Sequence, residues 1–303
     1  MKLIKEILAI FSNQKSFDGI IGNPVANRFG LHVFRIVLSD GACFLRTLPF
    51  FFIERKARKS FAKNGVIIIE NFLEHNDFCQ IQKEAHQRLA ALPPPPVNNQ
   101  QGFGEKKFHD QGFDRYDGGT VNRFADIKEN SATMKLLVKN PRLSRLTLAL
   151  FGQFNRKSKY YIYELRHGDE SINPDIQKQI HKDTFHHTYK FWYFIDEVTD
   201  EQGPFAYSLG SQRSTISNLL WEYRMSCTVS ASEHPNRGGS FRASAADLQE
   251  MQYPLPSSFK VPANTLVIAD TRGFHCRGNG LMGSRRLSIY ANFRPLAFLP
   301  FLS

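Results

Sequence analysis

The chain's 303 residues suffice for one large domain with a substantial core or for two small ones, and a 42% hydrophobic, 22% charged composition is ordinary for a soluble globular protein. Its four cysteines (Cys43, Cys79, Cys227 and Cys276) form no CxxC pair, which excludes a zinc framework and a disulfide scaffold and fits a reducing, cytoplasmic setting. A net charge of +11 favours an acidic partner such as nucleic acid, an anionic membrane surface or a phosphorylated substrate, with surface charge serving solubility alone as the alternative.

At the N-terminus, MKLIKEILAIFSNQ sets Leu3, Ile4, Ile7, Leu8 and Phe11 at helical spacing, which predicts a short amphipathic helix. Glu6 interrupts the apolar run and no small-residue cleavage pattern follows, so a signal peptide is not expected. CFLRTLPFFFI (Cys43–Ile53) carries Arg46 and Pro49 and is too short to span a bilayer, so no transmembrane helix is expected. ERKARKS (Glu54–Ser60) then places four cations beside this apolar stretch. Such a segment suits the surface of an anionic membrane, or equally a solvated helix whose apolar side packs on the domain. The residues leave both readings open. They divide the chain into a basic, partly apolar segment, 1–60, and a main domain, 61–303.

From Phe61 the texture changes. A β-branched strand is predicted at Val66–Ile69, then a helix entered near Asn76 and Asp77 and stopped by Pro93–Pro96. Residues 97–125, rich in Gly, Asn, Asp and Gln, read as a long loop of the lid or binding kind, and a helical stretch follows over Ser131–Leu150. The C-terminal half reads as mostly β: KYYIYELR, KFWYFIDEV, NTLVIAD and RRLSIYANF lie between turn-rich segments, with FAYSLG a weaker strand. Several strands at this spacing predict a barrel or sandwich rather than a parallel α/β sheet. With 27 Phe, 10 Tyr and 2 Trp, its interior should be rich in phenylalanine.

The chemistry begins in QIHKDTFHHTYKFW (Gln179–Trp192). His181 and Asp183 stand two apart before a strand, so both side chains share a face and enter one cavity. One histidine and one carboxylate do not complete a metal site. Two histidines with one carboxylate do suit non-haem Fe(II) with open positions, and the best third donor is His275 in TLVIADTRGFHCRGNG. Eleven residues later Arg286 and Ser288 share a strand face, and a guanidinium fork with a hydroxyl suits the distal carboxylate of a small dicarboxylic acid.

HKD, KFWYFIDEV, EQGPFAYSLGSQRS, ADTRGFH and RRLS occur in an order that resembles the phytanoyl-CoA dioxygenase-like branch of the Fe(II)/2-oxoglutarate oxygenases, from about Phe61 to Pro295. Gln212 stands where that branch usually has histidine in a GSHR motif, and Lys182 where it often has glutamine. The resemblance implies a mainly β fold with flanking helices, a double-stranded β-helix or distorted, cupin-like jelly-roll barrel. It implies Fe(II) on His181, Asp183 and His275, and 2-oxoglutarate on Arg286 and Ser288, with O2 as the oxidant. Trp192 matches a tryptophan that flanks the cosubstrate in some members, while Tyr161 and Tyr163 line the same cavity or belong to the core. Asp183 favours hydroxylation over halogenation, since the related halogenases lack that carboxylate. His186 and His187 are expected at the surface or behind the site.

The expected activity is hydroxylation of an aliphatic or sugar carbon. The charge and apolar patches point to an anionic, lipid-linked substrate, such as an inner-core lipopolysaccharide sugar or lipid A. The chain would then be cytoplasmic and peripheral on the inner face of the cytoplasmic membrane. The alternatives are a soluble hydroxylase of a small natural product or acyl thioester, and a non-catalytic binding module on the same barrel. No nucleic-acid motif is present.

Overall fold

The computed structural model describes residues 2–95, 104–155, 158–231 and 233–300. It opens with the expected amphipathic helix, α1 (Lys2–Ile10). Then follow α2 (Pro24–Arg28), which Asn23 caps by accepting from the Ala26 amide at 2.9 Å, and α3 (Leu31–Thr47). Helix α3 is amphipathic in an inverted sense. His32, Arg35, Ser39 and Arg46 are buried at helical spacing, whereas Phe34, Val37, Phe44 and Leu45 face solvent. The inward charges are partly satisfied: Arg35 donates to the carbonyls of Ile10, Ser12 and Gln14, and Arg46 to that of Leu296, while Arg35 Nη1 and Arg46 Nε have no partner among the described residues. The basic run forms α4 (Arg55–Asn64).

The strand β1 (Val66–Ile69) and the helix α5 (His75–Ala90) match their predictions. The expected loop does not. Residues 97–103 lie outside the described residues, but the rest folds as a meander of β2 (Lys106–His109), β3 (Gly112–Asp117) and β4 (Thr120–Asp126). Its charged residues hid the strand alternation because they pair within the sheet: Arg123 meets Asp114 at 3.2 Å, and Arg115 meets Asp117 at 2.8 Å. Gly112 allows the tight return, since a Cβ there would lie 1.9 Å from the Phe124 carbonyl. The stretch Ser131–Leu150 is also not one helix. A six-residue π turn, Thr133–Val138, is separated from α6 (Pro141–Phe151) at Asn140, whose side chain caps the new helix.

The strands of the second half are β5 (Tyr160–Arg166), β6 (Tyr189–Phe194) and β7 (Phe205–Tyr207). Helices α7 (Ile216–Ala231) and α8 (Ala245–Glu250) interrupt them, followed by β8 (Ser257–Ser258), β9 (Thr265–Asp270), β10 (His275–Arg277) and β11 (Arg285–Phe293). Helix α7 departs from the mostly β expectation. Asn218, Glu222, Ser226 and Ser230 are among its buried residues, so no apolar stripe betrays it.

All pairings are antiparallel, in an eight-stranded sheet ordered β1-β9-β6-β11-β5-β4-β3-β2 and a three-stranded sheet β10-β7-β8. Leu287, Ile289, Ala291 and Phe293 of β11 face an outer core shared with α5 and α6. Tyr290, from the alternate set, packs with Tyr163, Trp192, Phe205 and Tyr207 in an inner core between the sheets. This is the two-sheet arrangement of a jelly roll with flanking helices. The N-terminal segment is tied to it: Asn27 bonds Ser230 at 2.8 Å, His32 meets Glu222 at 3.0 Å, and Lys15 donates to the Asp183 carbonyl at 2.8 Å.

Candidate metal centre

His181 and His275 are far apart in sequence but form a single antiparallel bridge, each amide donating to the other's carbonyl, at 2.9 and 2.8 Å. Their rings lie 4.4 Å apart between centroids. Each Nδ1 donates to a carbonyl two residues earlier, His181 to Gln179 at 2.7 Å and His275 to Gly273 at 2.9 Å. This fixes the tautomer and leaves both Nε2 lone pairs directed inward. Gly273 is required there, because a Cβ would lie 1.9 Å from the Tyr207 hydroxyl. The Asp183 amide donates to the Thr271 carbonyl at 2.9 Å, which places its carboxylate beside the two rings. Oδ1 is 3.8 Å from His181 Nε2 and 3.7 Å from His275 Nε2.

These donors lie within 4.8 Å of one another, and both Nε2 atoms are buried without a hydrogen-bond partner. Buried imidazole nitrogens left unsatisfied beside a carboxylate are what a divalent metal would complete. The protonation states agree. Burial, reinforced by His275, holds His181 well below the usual imidazole range, and burial brings His275 down to about 4. Burial opposes the charge on Asp183, but Lys190, His275 and His181 outweigh it and keep the carboxyl ionised. Two neutral imidazoles and one carboxylate therefore fit a metal such as Fe(II).

A cavity of about 70 Å³ adjoins His181 and His275, lined by Arg286, Trp192 and Tyr163 among others. The Arg286 guanidinium donates to the Gly203 carbonyl, and its Nε has no partner among the described residues. Ser288 lies on the same face of β11, its buried hydroxyl also unpartnered, although it does not line the cavity. Trp192 packs against Phe205 with ring centroids 4.7 Å apart, and the Tyr163 hydroxyl donates to Asn122 at 2.7 Å. Tyr161 does not reach the cavity but packs against Phe113 and Phe124, each at 5.6 Å.

Two site residues escaped the sequence reading. Lys190 holds Asp183 Oδ2 at 2.8 Å, turning Oδ1 towards the histidines, and Arg277 donates to Asn122 Oδ1 at 2.9 Å in the cavity wall. Period two marks both, since Lys190 is two before Trp192 and Arg277 two after His275. Gln212, in the altered GSHR motif, donates to the carbonyls of Phe61 and Ala62 and so ties the loop to α4. Neither remaining histidine of the cluster is at the surface. His187 meets Asp270 and Asp40, and His186 lines a second small cavity together with Asp183, Thr184 and Arg294.

Residues 61–235, more than half of the chain, match the model of the family described as phytanoyl-CoA dioxygenase (PhyH). The chain belongs to this family, and it is an enzyme of the Fe(II)/2-oxoglutarate-dependent dioxygenase type, using iron, 2-oxoglutarate and O2. His275 and Arg286 lie beyond the matched residues, and the bridge to His181 brings the first of them into the site. Among solved structures, the epimerase SnoN in complex with Fe3+, alpha-ketoglutarate and nogalamycin RO is similar at 16% identity, covering 80% of this chain and 86% of that one, with a TM-score of 0.47. HygX from Streptomyces hygroscopicus with nickel and 2-oxoglutarate has 16% identity, coverage of 80% and 87%, and a TM-score of 0.47. EctD from S. alaskensis in its apoform has 13% identity, coverage of 80% and 76%, and a TM-score of 0.43. No curated protein sequence matches the chain.

Proposed function

We propose that His181, Asp183 and His275 bind the iron, that Arg286 and Ser288 hold the distal carboxylate of 2-oxoglutarate, and that the enzyme hydroxylates an aliphatic or sugar carbon. The observation carrying this reading is the convergence of two unsatisfied, buried Nε2 atoms on an ionised carboxylate. Iron with 2-oxoglutarate and O2 supplies the oxidation: the cosubstrate loses CO2 to become succinate, and one oxygen atom enters the substrate as a hydroxyl. The chain's own contribution is positional. The carbonyls of Gln179 and Gly273 set the imidazoles, Lys190 sets the carboxylate, and the aromatic wall of Trp192, Phe205 and Tyr290 keeps water out.

Anaerobic addition of Fe(II) and 2-oxoglutarate should produce the visible absorption of the iron chelate in the wild-type protein and none in His181→Ala/Asp183→Ala. A wild-type protein without that band would refute the site. Arg286→Leu should retain iron but raise the 2-oxoglutarate concentration for half-saturation by about tenfold or more, since a charge-assisted contact is lost.

For the substrate, the exposed side of α3 supports an anionic lipid-linked molecule met at a membrane surface. Phe34, Val37, Phe44, Leu45 and Leu48 form an exposed apolar stripe that continues to Phe51 and Phe52, beside Arg55, Lys56 and Lys59. No helix among the described residues is long and apolar enough to cross a membrane. Affinity for phosphatidylglycerol vesicles should fall about fivefold for each of Arg55, Lys56 and Lys59 neutralised. Sedimentation that is indifferent to these changes would count against the membrane reading and favour a dissolved small-molecule substrate.

A further inference from the structure

A second cavity is larger than the one beside His181 and His275. It lies beyond the outer face of the eight-stranded sheet, between α3, α4 and α6, and measures about 750 Å³. That is within the range of about 300–1,000 Å³ usual for small-ligand sites. It shares no lining residue with the cavity beside His181 and His275. Tyr189 faces it from β6, whereas Lys190 and Trp192 of the same strand face the iron side.

The lining has three parts. Phe44, Phe51, Phe61 and Leu150 form an apolar wall. The floor is a buried network in which Arg272 meets Asp40, His187 and Ser214, while His187 also meets Asp270. Two carboxylates there face two basic groups, so the floor is balanced and its hydrogen bonds are made. The mouth is not balanced. Arg55, Lys59 and Arg213 line the cavity, are exposed, and have no carboxylate partner among the described residues, while Arg58 beside them is held by the Thr47 and Ala149 carbonyls. An apolar wall below a rim of uncompensated cations is complementary to one kind of molecule.

We infer that this cavity is a second binding site, for an anionic amphiphile: a phosphate or carboxylate head held by Arg55, Lys59 and Arg213, and an apolar chain lying on Phe44, Phe51, Phe61 and Leu150. Its ligand is separate from the molecule oxidised at the iron, and the inference does not depend on the iron assignment. Because Phe44 and Phe51 also belong to the exposed stripe of α3, the ligand can arrive from a bilayer as well as from solution.

Calorimetric titration of the full-length protein with octyl phosphate, below its micelle concentration, tests this. Saturable binding is expected, with inorganic phosphate (head alone) and octyl glucoside (chain on a neutral head) each at least about tenfold weaker. Lys59→Glu/Arg213→Glu should weaken octyl phosphate about tenfold or more, both positions being exposed, with the unchanged melting temperature reporting an intact fold. Ala62→Trp, which fills the cavity from its exposed rim without altering charge, should do the same. Asp183→Ala should bind octyl phosphate as the wild type does. Displacement of octyl phosphate by phosphatidylglycerol vesicles would assign the ligand to a bilayer, and retention would assign it to a free amphiphile; either result keeps the site. No saturable binding, equal binding of inorganic phosphate, or full affinity in both cavity variants would overturn it, and loss of binding in Asp183→Ala would overturn its separation from the iron.

Discussion

Asp183→Ala is expected to lower succinate formation by at least about a thousandfold, because the metal's contribution is worth several kcal/mol and two histidines alone hold it poorly. The fold should survive. Asp183 is held through its backbone, its amide donating to the Thr271 carbonyl and its carbonyl accepting from Lys15, and its side chain contacts Lys190 rather than the apolar core. Removing the carboxylate leaves the Lys190 ammonium beside two imidazoles, a second reason for poor affinity for a cation. Asp183→Ala/Lys190→Met removes that repulsion and should bind Fe(II) better than the single variant while staying inactive. Metal titration with succinate release separates the two effects. A single variant retaining more than a tenth of wild-type turnover would show that Asp183 does not hold the metal.

The candidate site was legible in the sequence to the extent that it repeats at period two. His181 with Asp183, and Arg286 with Ser288, announce shared faces, and β1 and β11 match their predicted strands residue for residue. What period two could not give was the neighbouring strand that supplies His275. The bridge sets His181 beside the edge strand β10, and its closeness to His275 is a property of the tertiary fold. The polar elements were the least legible. In β3 and β4, charged residues satisfy one another inside the sheet, so the alternation of apolar and polar residues vanishes and the segment reads as a loop. Helices α3 and α7 bury polar residues, and their periodicity therefore has the wrong sign for a surface helix. In each case buried polar or charged side chains, matched by local partners in β3 and β4 and by distant ones for Arg46 of α3 and Glu222 of α7, replaced the apolar pattern on which a linear reading depends.

The same buried charge makes Glu222→Gln the largest stability change expected. Lys182 stands between His181 and Asp183, and strand alternation turns it away from the iron side into contact with Glu222 of α7, which also holds His32 of α3 at 3.0 Å. All three side chains are buried. Burial opposes the charge on Glu222, but Lys182 and His32 outweigh it and bring the carboxyl from 4.5 down to about 2. On Lys182 burial wins, and its affinity for a proton falls. The ion pair is therefore costly to build and costlier to break. Glu222→Gln leaves the ammonium without a counter-charge and should destabilise the protein by about 3–5 kcal/mol, whereas Glu222→Leu/Lys182→Met should be near neutral. Urea midpoints distinguish these outcomes, and equal loss in both variants would show that packing rather than charge matters. The pH dependence has a definite sign. A depressed carboxyl contributes stability that is complete above pH 4.5 and is lost as the pH falls towards 2, so the wild type should lose stability across that window. The double variant should lack this component of the loss. Because Lys182 is bonded into the chain between two of the proposed metal donors, Glu222→Gln should also weaken Fe(II) binding by about 10–100-fold, and the double variant should restore it.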